Sequence, residues 1–327
     1  MNRVKISSPG KLMLFGDHAV VHGRQCLVTA VNQRLMVTVE SVGEIGQITL
    51  NAPEVDLLNF EIKLKEFKLD ELPKSARFVA QAVKNFAEKH QLKSGLQIKT
   101  ASEFSATFGF GSSSAVTAAT IKALSELHSL SLSNQEIFEL AYKTVLDIQG
   151  VGSGFDLAAA IWGGTLLFAK GGQEIKPLDV TSLPLIVGYT GVKADTATLV
   201  KAVGAKHSQY PEQINAIFDL MQSVVELSEP AIVAQDWSKL GELMNINQGL
   251  LNAIDVSSPE LESQIFAARQ AGAYGAKLSG AGGGDCFISL APPDKTNEVK
   301  SAIKQAGGQV LEVQLSAPGI KVENLEK

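Results

Sequence analysis

Cysteine is scarce in this chain. Its 327 residues include two, Cys26 and Cys286, far apart and without metal-ligand spacing. That argues against a disulfide framework and makes a reduced cytoplasm the expected compartment. A basic excess is also lacking, since the net charge is −5. A general nucleic-acid binder would show a basic face, so no nucleic-acid partner is expected. A few lysines and backbone N–H groups can still hold an anion locally. No apolar run is long enough to span a bilayer: the longest, near Leu157 to Phe168, is interrupted by Gly163 and Gly164. Near Met1, the polar stretch Asn2 to Ser8 followed by Pro9-Gly10 does not read as a signal peptide. No membrane association is expected. His18 and His22 stand four apart but enclose no Glu, so the zincin pattern is missing and zinc is not expected there. There is no internal repeat and no low-complexity tract.

What is present fits a packed globular protein, with 45% hydrophobic and 19% charged residues. The length allows one large domain or two ordinary ones. Short runs at Leu12–Phe15, Leu27–Val31, Leu35–Glu40, Gln47–Leu50 and Leu96–Thr100 read as strands. Ser75–His90 reads as a helix, with Phe78, Val79, Ala82, Val83 and Phe86 on one side. Ser113–His128 and Asn134–Leu146 also read as helices, the second capped by Ser133. Gly164–Lys170 and Leu183–Thr190 return as strands, and Tyr210–Val256 reads as one long helical stretch. A βαβ-like tail follows: helix Glu260–Ala271, a glycine turn, strand Cys286–Leu290, helix Asp294–Ala306 and strand Gln309–Gln314. Gly171, Gly172, Pro177 and Pro184 cluster near residue 180, which suggests two domains, 1–180 and 181–327.

Three glycine-bearing segments stand out. Gly109-Phe110-Gly111-Ser112-Ser113-Ser114 directly precedes a helix. Glycines let the backbone approach a phosphate, and free N–H groups at a helix start point at it. Serine hydroxyls can add bonds to phosphate oxygens or to Mg²⁺. No Lys follows the last Gly, so this is not the Walker pattern; a purely structural helix cap is the other reading. Gly280-Ala281-Gly282-Gly283-Gly284-Asp285 is either a loose connection or a second ligand-covering turn. The third segment runs from Ser8-Pro9-Gly10-Lys11 through Phe15-Gly16-Asp17-His18 to Gly23.

In this order and at these distances, the three segments resemble the GHMP kinases, named for galactokinase, homoserine kinase, mevalonate kinase and phosphomevalonate kinase. The resemblance covers almost the whole chain. It implies a two-domain α+β fold, with an N-terminal ribosomal-protein-S5-type α/β domain that binds ATP and a C-terminal ferredoxin-like α+β domain. Phe15 to Gly23, Thr190-Gly191-Val192 with Thr196, Leu243 to Leu251 and Gly275 to Gly284 are most similar to the mevalonate-kinase branch, with Asp17 where that branch usually has Glu. The departures are Gln149-Gly150-Val151-Gly152-Ser153-Gly154-Phe155-Asp156 and Gly284-Asp285-Cys286, worded more like phosphomevalonate kinases. Val145 also stands where the branch places a magnesium-binding Glu, and Ser105 where it usually has Pro.

The resemblance implies ATP-dependent phosphorylation of the primary alcohol of mevalonate, with phosphomevalonate as the rival acceptor. A non-catalytic ligand sensor on the same fold is the reading from another class; it would be free to lose Lys11 or Asp156, and both are present. By resemblance, Asp156 accepts or orients the hydroxyl proton and Lys11 contacts both. Gly109, Gly111, Ser112, Ser113 and Ser114 wrap the triphosphate, with Ser113 also on Mg²⁺. Asp17, His18 and Thr196 line the acceptor site, and Gly280, Ala281, Gly282 and Gly283 close over it. Asp147 can replace the acid missing at Val145 only if the helix has unwound there, because residues two apart point about 200° apart on a helix. The expected partners are the small-molecule alcohol and, without any residue to carry it, a second copy of the chain in a homodimer.

Overall fold

The structure is a computed structural model that describes residues 2–324. The first half contains β1 (Arg3–Phe15), β2 (Gln25–Val42), β3 (Gln47–Ala52), β4 (Leu57–Lys63), α1 (Lys74–Lys89), β5 (Gly95–Ser102), α2 (Ser112–Leu127), α3 (Asn134–Gln149), α4 (Phe155–Trp162), β6 (Thr165–Ala169) and β7 (Glu174–Leu178). The second contains β8 (Leu185–Tyr189), α5 (Thr196–Gln209), α6 (Pro211–Val233), α7 (Trp237–Ala253), α8 (Pro259–Gln270), β9 (Gly275–Leu278), β10 (Cys286–Leu290), α9 (Thr296–Gln305), β11 (Gln309–Leu311) and β12 (Lys321–Glu323).

The first sheet has the order β12-β1-β2-β5-β3-β4, with β6 beside β2 and β7 beside β6. The second is an antiparallel sheet in the order β11-β8-β10-β9. The last strand, β12, returns to the first sheet and pairs with β1. The mixed α+β class follows from this segregation of helices and sheets.

Two strands read separately from the sequence are one. β2 changes partner along its length, pairing β6 through residues 25–29 and β5 through 35–42. The polar Asn32 between them suggests a turn. In the fold it exchanges hydrogen bonds with Gln314 of the returning tail, so the strand continues. The opposite happens at the long helical stretch. It breaks after α6, where Gln235 takes φ +57° and Asp236 caps α7 by accepting from the Lys239 amide. α5, β4, β7, β9 and β12 are elements that periodicity alone does not pick out.

α2 is the central helix of the first half. Ala115, Ala118, Ala119 and Ala123 are buried on it, and these small side chains let it lie close to β1 and β2 while α1 and α3 cover it. On α1, Val79, Ala82, Val83 and Phe86 are buried as the amphipathic pattern predicts.

Pro9 and Gly10 lie inside β1, at a shift in its register with β2. A Cβ on Gly10 would stand 3.0 Å from both Phe110 Cβ and Val31 Cγ2. Glycine there allows the loop before α2 to lie directly on β1, where the Lys11 amide donates to the Phe110 carbonyl at 3.0 Å. This contact fixes the start of α2 beside Lys11.

Candidate active site

A cavity of about 1050 Å³ opens between the two halves. On one side it is walled by the start of α2. Gly111 is the N-cap with φ +78°, and no side chain caps the helix. By contrast, α3 carries a complete capping box between Ser133 and Glu136. An uncapped helix start leaves backbone N–H groups free for an anion, and the helix dipole favours negative charge there. Gly109, Gly111, Ser112, Ser113 and Ser114 all border the cavity, as expected of a phosphate-binding loop. A Cβ on Gly111 would approach Lys11 Cε to 3.2 Å, so the loop is also shaped to make room for that side chain.

Lys11 and Asp156 meet at the cavity floor. Lys11 Nζ lies 3.1 Å from Asp156 Oδ1 and donates to the Gly109 carbonyl at 3.1 Å. Its ammonium also sits 5.2 Å from the centre of the Phe155 ring. Asp156 Oδ1 is buried and lacks an aligned hydrogen-bond donor, so its contact with Lys11 is an ion pair rather than a directed hydrogen bond. Asp156 is not the cap of α4. Gly154 holds that position with φ +95°, and Asp156 follows in the first turn, its side chain one-third exposed to the cavity. An acid in a first helical turn is favoured by the dipole, and here it also faces a cation.

His18 and Thr196 border the cavity from opposite halves, with Gly280 and Ala281 between them. His18 Nε2 lies 2.9 Å from the Ala281 carbonyl. A carbonyl only accepts, so Nε2 carries the proton and, in the neutral ring, Nδ1 is left as an acceptor. Burial pulls the His18 pKa below its ordinary value, against the Ala281 bond and the Asp17 charge.

Three residues expected at the acceptor site are elsewhere. Asp17 does not reach the cavity: it is completely buried and ion-paired to the equally buried Lys277, 2.8 Å away. Its second oxygen accepts the Gly280 amide at 2.7 Å. Gly282 and Gly283 fold back onto their own half. Gly283 donates to the Val256 carbonyl at 2.7 Å, and a Cβ on Gly282 would lie 2.0 Å from the same oxygen. The tight turn that lets Gly280 and Ala281 face the cavity directs the next two glycines away from it.

Val145 borders the cavity, as the position of the missing acid should. Asp147 does not replace it. α3 stays helical through Gln149, and the Asp147 carboxylate accepts from Gln81, Asn85 and Lys143 at 2.9–3.0 Å on the far side of the helix. Among the described residues, no group of three or more His, Cys, Asp and Glu is arranged to hold a metal.

Several charged residues at or beside the cavity were given no role by the sequence, among them Asp285 and Lys277. Asp285 borders the cavity; its Oδ1 accepts the Ala194 amide at 2.9 Å, and burial pushes its pKa up. Lys277 is the sole charge in the strand Gly-Ala-Lys-Leu, every residue of which is buried. A lysine inside so short an apolar run was the available signal that a buried acid must answer it.

Family models agree with this arrangement at both ends. The model described as the GHMP kinases N-terminal domain matches residues 77–164, and that of the GHMP kinases C-terminal domain matches residues 228–309. A mevalonate kinase of Thermococcus sibiricus is 36% identical, over 99% of this chain and 99% of its own. Among solved structures, the Methanococcus jannaschii mevalonate kinase is 26% identical with a TM-score of 0.80, covering 95% of this chain and 97% of its own. The L. major mevalonate kinase in complex with R-mevalonate is 28% identical with a TM-score of 0.76, covering 96% of each chain. A glycine-serine loop at an uncapped helix start, a Lys–Asp pair at its foot and a second glycine turn closing the cavity thus occur in a chain that belongs to the GHMP kinases.

Proposed function

We propose that this chain transfers the γ-phosphoryl group of ATP to the primary alcohol of mevalonate. The observation that carries it is the Lys11–Asp156 pair, 3.1 Å apart at the foot of an uncapped helix start. Phosphoryl transfer needs the attacking and leaving oxygens in line, neutralised phosphate charge and a destination for one proton. The α2 N–H groups and the serines hold the phosphates. Leu50, Phe78, Val79 and Phe104 wall the cavity beyond the loop and offer an apolar slot for the base. The alcohol oxygen forms its bond to the γ-phosphorus as the bridge oxygen leaves with ADP. Asp156 takes or orients the hydroxyl proton, and Lys11 stabilises the charge developing on the attacking oxygen.

A bound Mg²⁺ would supply neutralisation of phosphate charge. The Ser113 hydroxyl at the cavity wall suits it, but neither Val145 nor the engaged Asp147 adds a carboxylate. The remaining positions suit phosphate oxygens and water, which Mg²⁺ retains readily.

Mevalonate is favoured over phosphomevalonate by the full-length similarity to mevalonate kinases. A phosphorylated acceptor needs extra cations. Besides Lys11, the lysines Lys74, Lys193 and Lys201 border the cavity, whereas Arg24 is engaged by Asp219 outside it. A coupled ADP-release assay decides between them. Turnover efficiency with mevalonate should exceed that with phosphomevalonate by about tenfold or more, or about 1.4 kcal/mol of transition-state discrimination. A preference for phosphomevalonate would reverse the assignment, and no turnover with any alcohol would support a ligand sensor.

A further inference from the structure

The two halves meet at a fully buried charge pair that the proposed chemistry does not use. Asp17 and Lys277 are both completely shielded from solvent and 2.8 Å apart. Asp17 lies just after β1 in the first half, and Lys277 in β9 of the second. Each is tied further. Asp17 Oδ1 accepts the Gly280 amide at 2.7 Å, and Oδ2 accepts a longer bond from Asn247 at 3.4 Å. The Lys277 ammonium also donates to the Leu278 carbonyl and stands 5.9 Å from the centre of the Phe15 ring. Burial pulls the Lys277 pKa down, and Asp17 opposes that.

Other bonds follow the same seam. The Ser279 hydroxyl donates to the Met13 carbonyl at 2.9 Å and accepts from the Met13 amide at 3.1 Å. His18 holds the Ala281 carbonyl. Thus Ser279, Gly280 and Ala281, one part of the wall contributed by the second half, are each bonded to the strand that carries Lys11 or to the turn after it. Among these groups, Asp17 binds both β9, through Lys277, and the wall itself, through Gly280.

A buried charge pair is a poor choice for stability alone, because desolvation offsets most of the attraction. What it provides is geometry, since a carboxylate with two oxygens can hold two donors at a fixed spacing. We propose that Asp17 is a positioning residue: paired with Lys277, it sets the distance between the Gly280–Ala281 wall and the Lys11–Asp156 pair, and thereby the fit of the acceptor alcohol. The kinetic part of this proposal rests on the reading of the site as an alcohol kinase.

The test compares wild type, Asp17→Asn, Lys277→Met and the double variant Asp17→Asn/Lys277→Met in the full chain. The amide introduced by Asp17→Asn can still accept from Gly280 but no longer answers a buried ammonium. The single variants therefore each leave one partner unmatched, and the double variant removes both charges. Hydrogen exchange of residues 277–283, followed by mass spectrometry, needs no substrate. Exchange there should rise about tenfold or more in Asp17→Asn and return toward wild type in the double variant. In kinetics, Asp17→Asn should raise KM for mevalonate about tenfold with KM for ATP nearly unchanged, and the double variant should recover most of that loss.

Unchanged exchange in a folded Asp17→Asn protein overturns the proposal. So does a double variant that regains exchange protection and melting temperature but not KM, because Asp17 would then touch the acceptor itself. Equal losses for ATP and mevalonate would reduce the pair to general stability. If wild type turns over no alcohol, the kinase reading fails, and the exchange result still decides whether Asp17 holds the wall.

Discussion

Asp156 follows a left-handed glycine into the first turn of α4, and its nearest charge is Lys11 on another element. Neither residue is informative singly, since an acid in a first turn is commonly structural and a lysine in a strand is commonly solvated. Together they lie 3.1 Å apart inside a cavity, and we propose that they act as an acid–base unit. Asp156→Asn should lower turnover about 10²–10⁴-fold while leaving ATP affinity nearly intact. Lys11→Met should behave alike, and the double variant should fall no further than the worse single one, because groups acting as a unit are not additive. Initial rates and calorimetric ATP titrations measure both quantities. Near-normal turnover in Asp156→Asn would leave the carboxylate with no role beyond favouring the helix dipole.

At the scale of elements, the proposed Mg²⁺ site would depend on α2 and α3. α2 presents its serines at an open N-terminus, whereas α3 presents Val145 to the cavity and directs Asp147 into a bond network with Gln81, Asn85 and Lys143. Those three donors hold the Asp147 pKa below its ordinary value despite its partial burial. Ser113→Ala should therefore raise the Mg²⁺ concentration for half-maximal rate, and Asp147→Asn should change it little while lowering the melting temperature. Val145→Glu should lower the Mg²⁺ requirement, because the position, though largely buried, borders the cavity, and a carboxylate reaching into the cavity finds metal or water there instead of remaining unpartnered. A Mg²⁺ titration of the initial rate at fixed ATP separates the three. A strong Mg²⁺ effect from Asp147→Asn with none from Ser113→Ala would reverse the roles assigned to the two helices.

For the whole molecule, acid sensitivity should centre on the seam between the halves. His22, in the short 3-10 turn after β1, stacks on Phe218 of α6 with ring centres 4.5 Å apart, and His207 of α5 meets it at 5.1 Å. Burial, then the charges of His207, His18, Lys170 and Arg24, lower the His22 pKa to about 4 from its ordinary 6.5. A histidine depressed on folding binds its proton more readily in the unfolded chain. Its contribution is therefore complete above pH 6.5 and is lost as pH falls from there toward 4. The ring is half-exposed, so solvent screening reduces the effect to roughly 1 kcal/mol. For a chain of this size that is a drop in melting temperature of about 2 °C. His22→Gln should flatten the melting-temperature profile between pH 6.5 and 4.5, and an unchanged slope would place the acid-sensitive group elsewhere.

From the sequence alone, the resemblance of short local segments to the GHMP kinases made the glycine-serine loop, Lys11, Asp156 and His18 candidates, because each lies in a segment that can be matched without the rest of the chain. Local patterning also placed the helices α1 to α3, and the same resemblance showed Val145 standing where the family usually has an acid. Only the tertiary structure decided the fate of Asp17, since its partners, Lys277 and the Gly280 amide, lie some 260 residues along the chain. The same holds for Gly282 and Gly283, whose direction depends on Val256, and for Asn32, which extends a strand because the returning tail takes up its polar groups. Local chemistry chooses what a segment can do. Long-range hydrogen bonds and burial decide which way each side chain faces, because a buried polar group must find a partner wherever the chain places one.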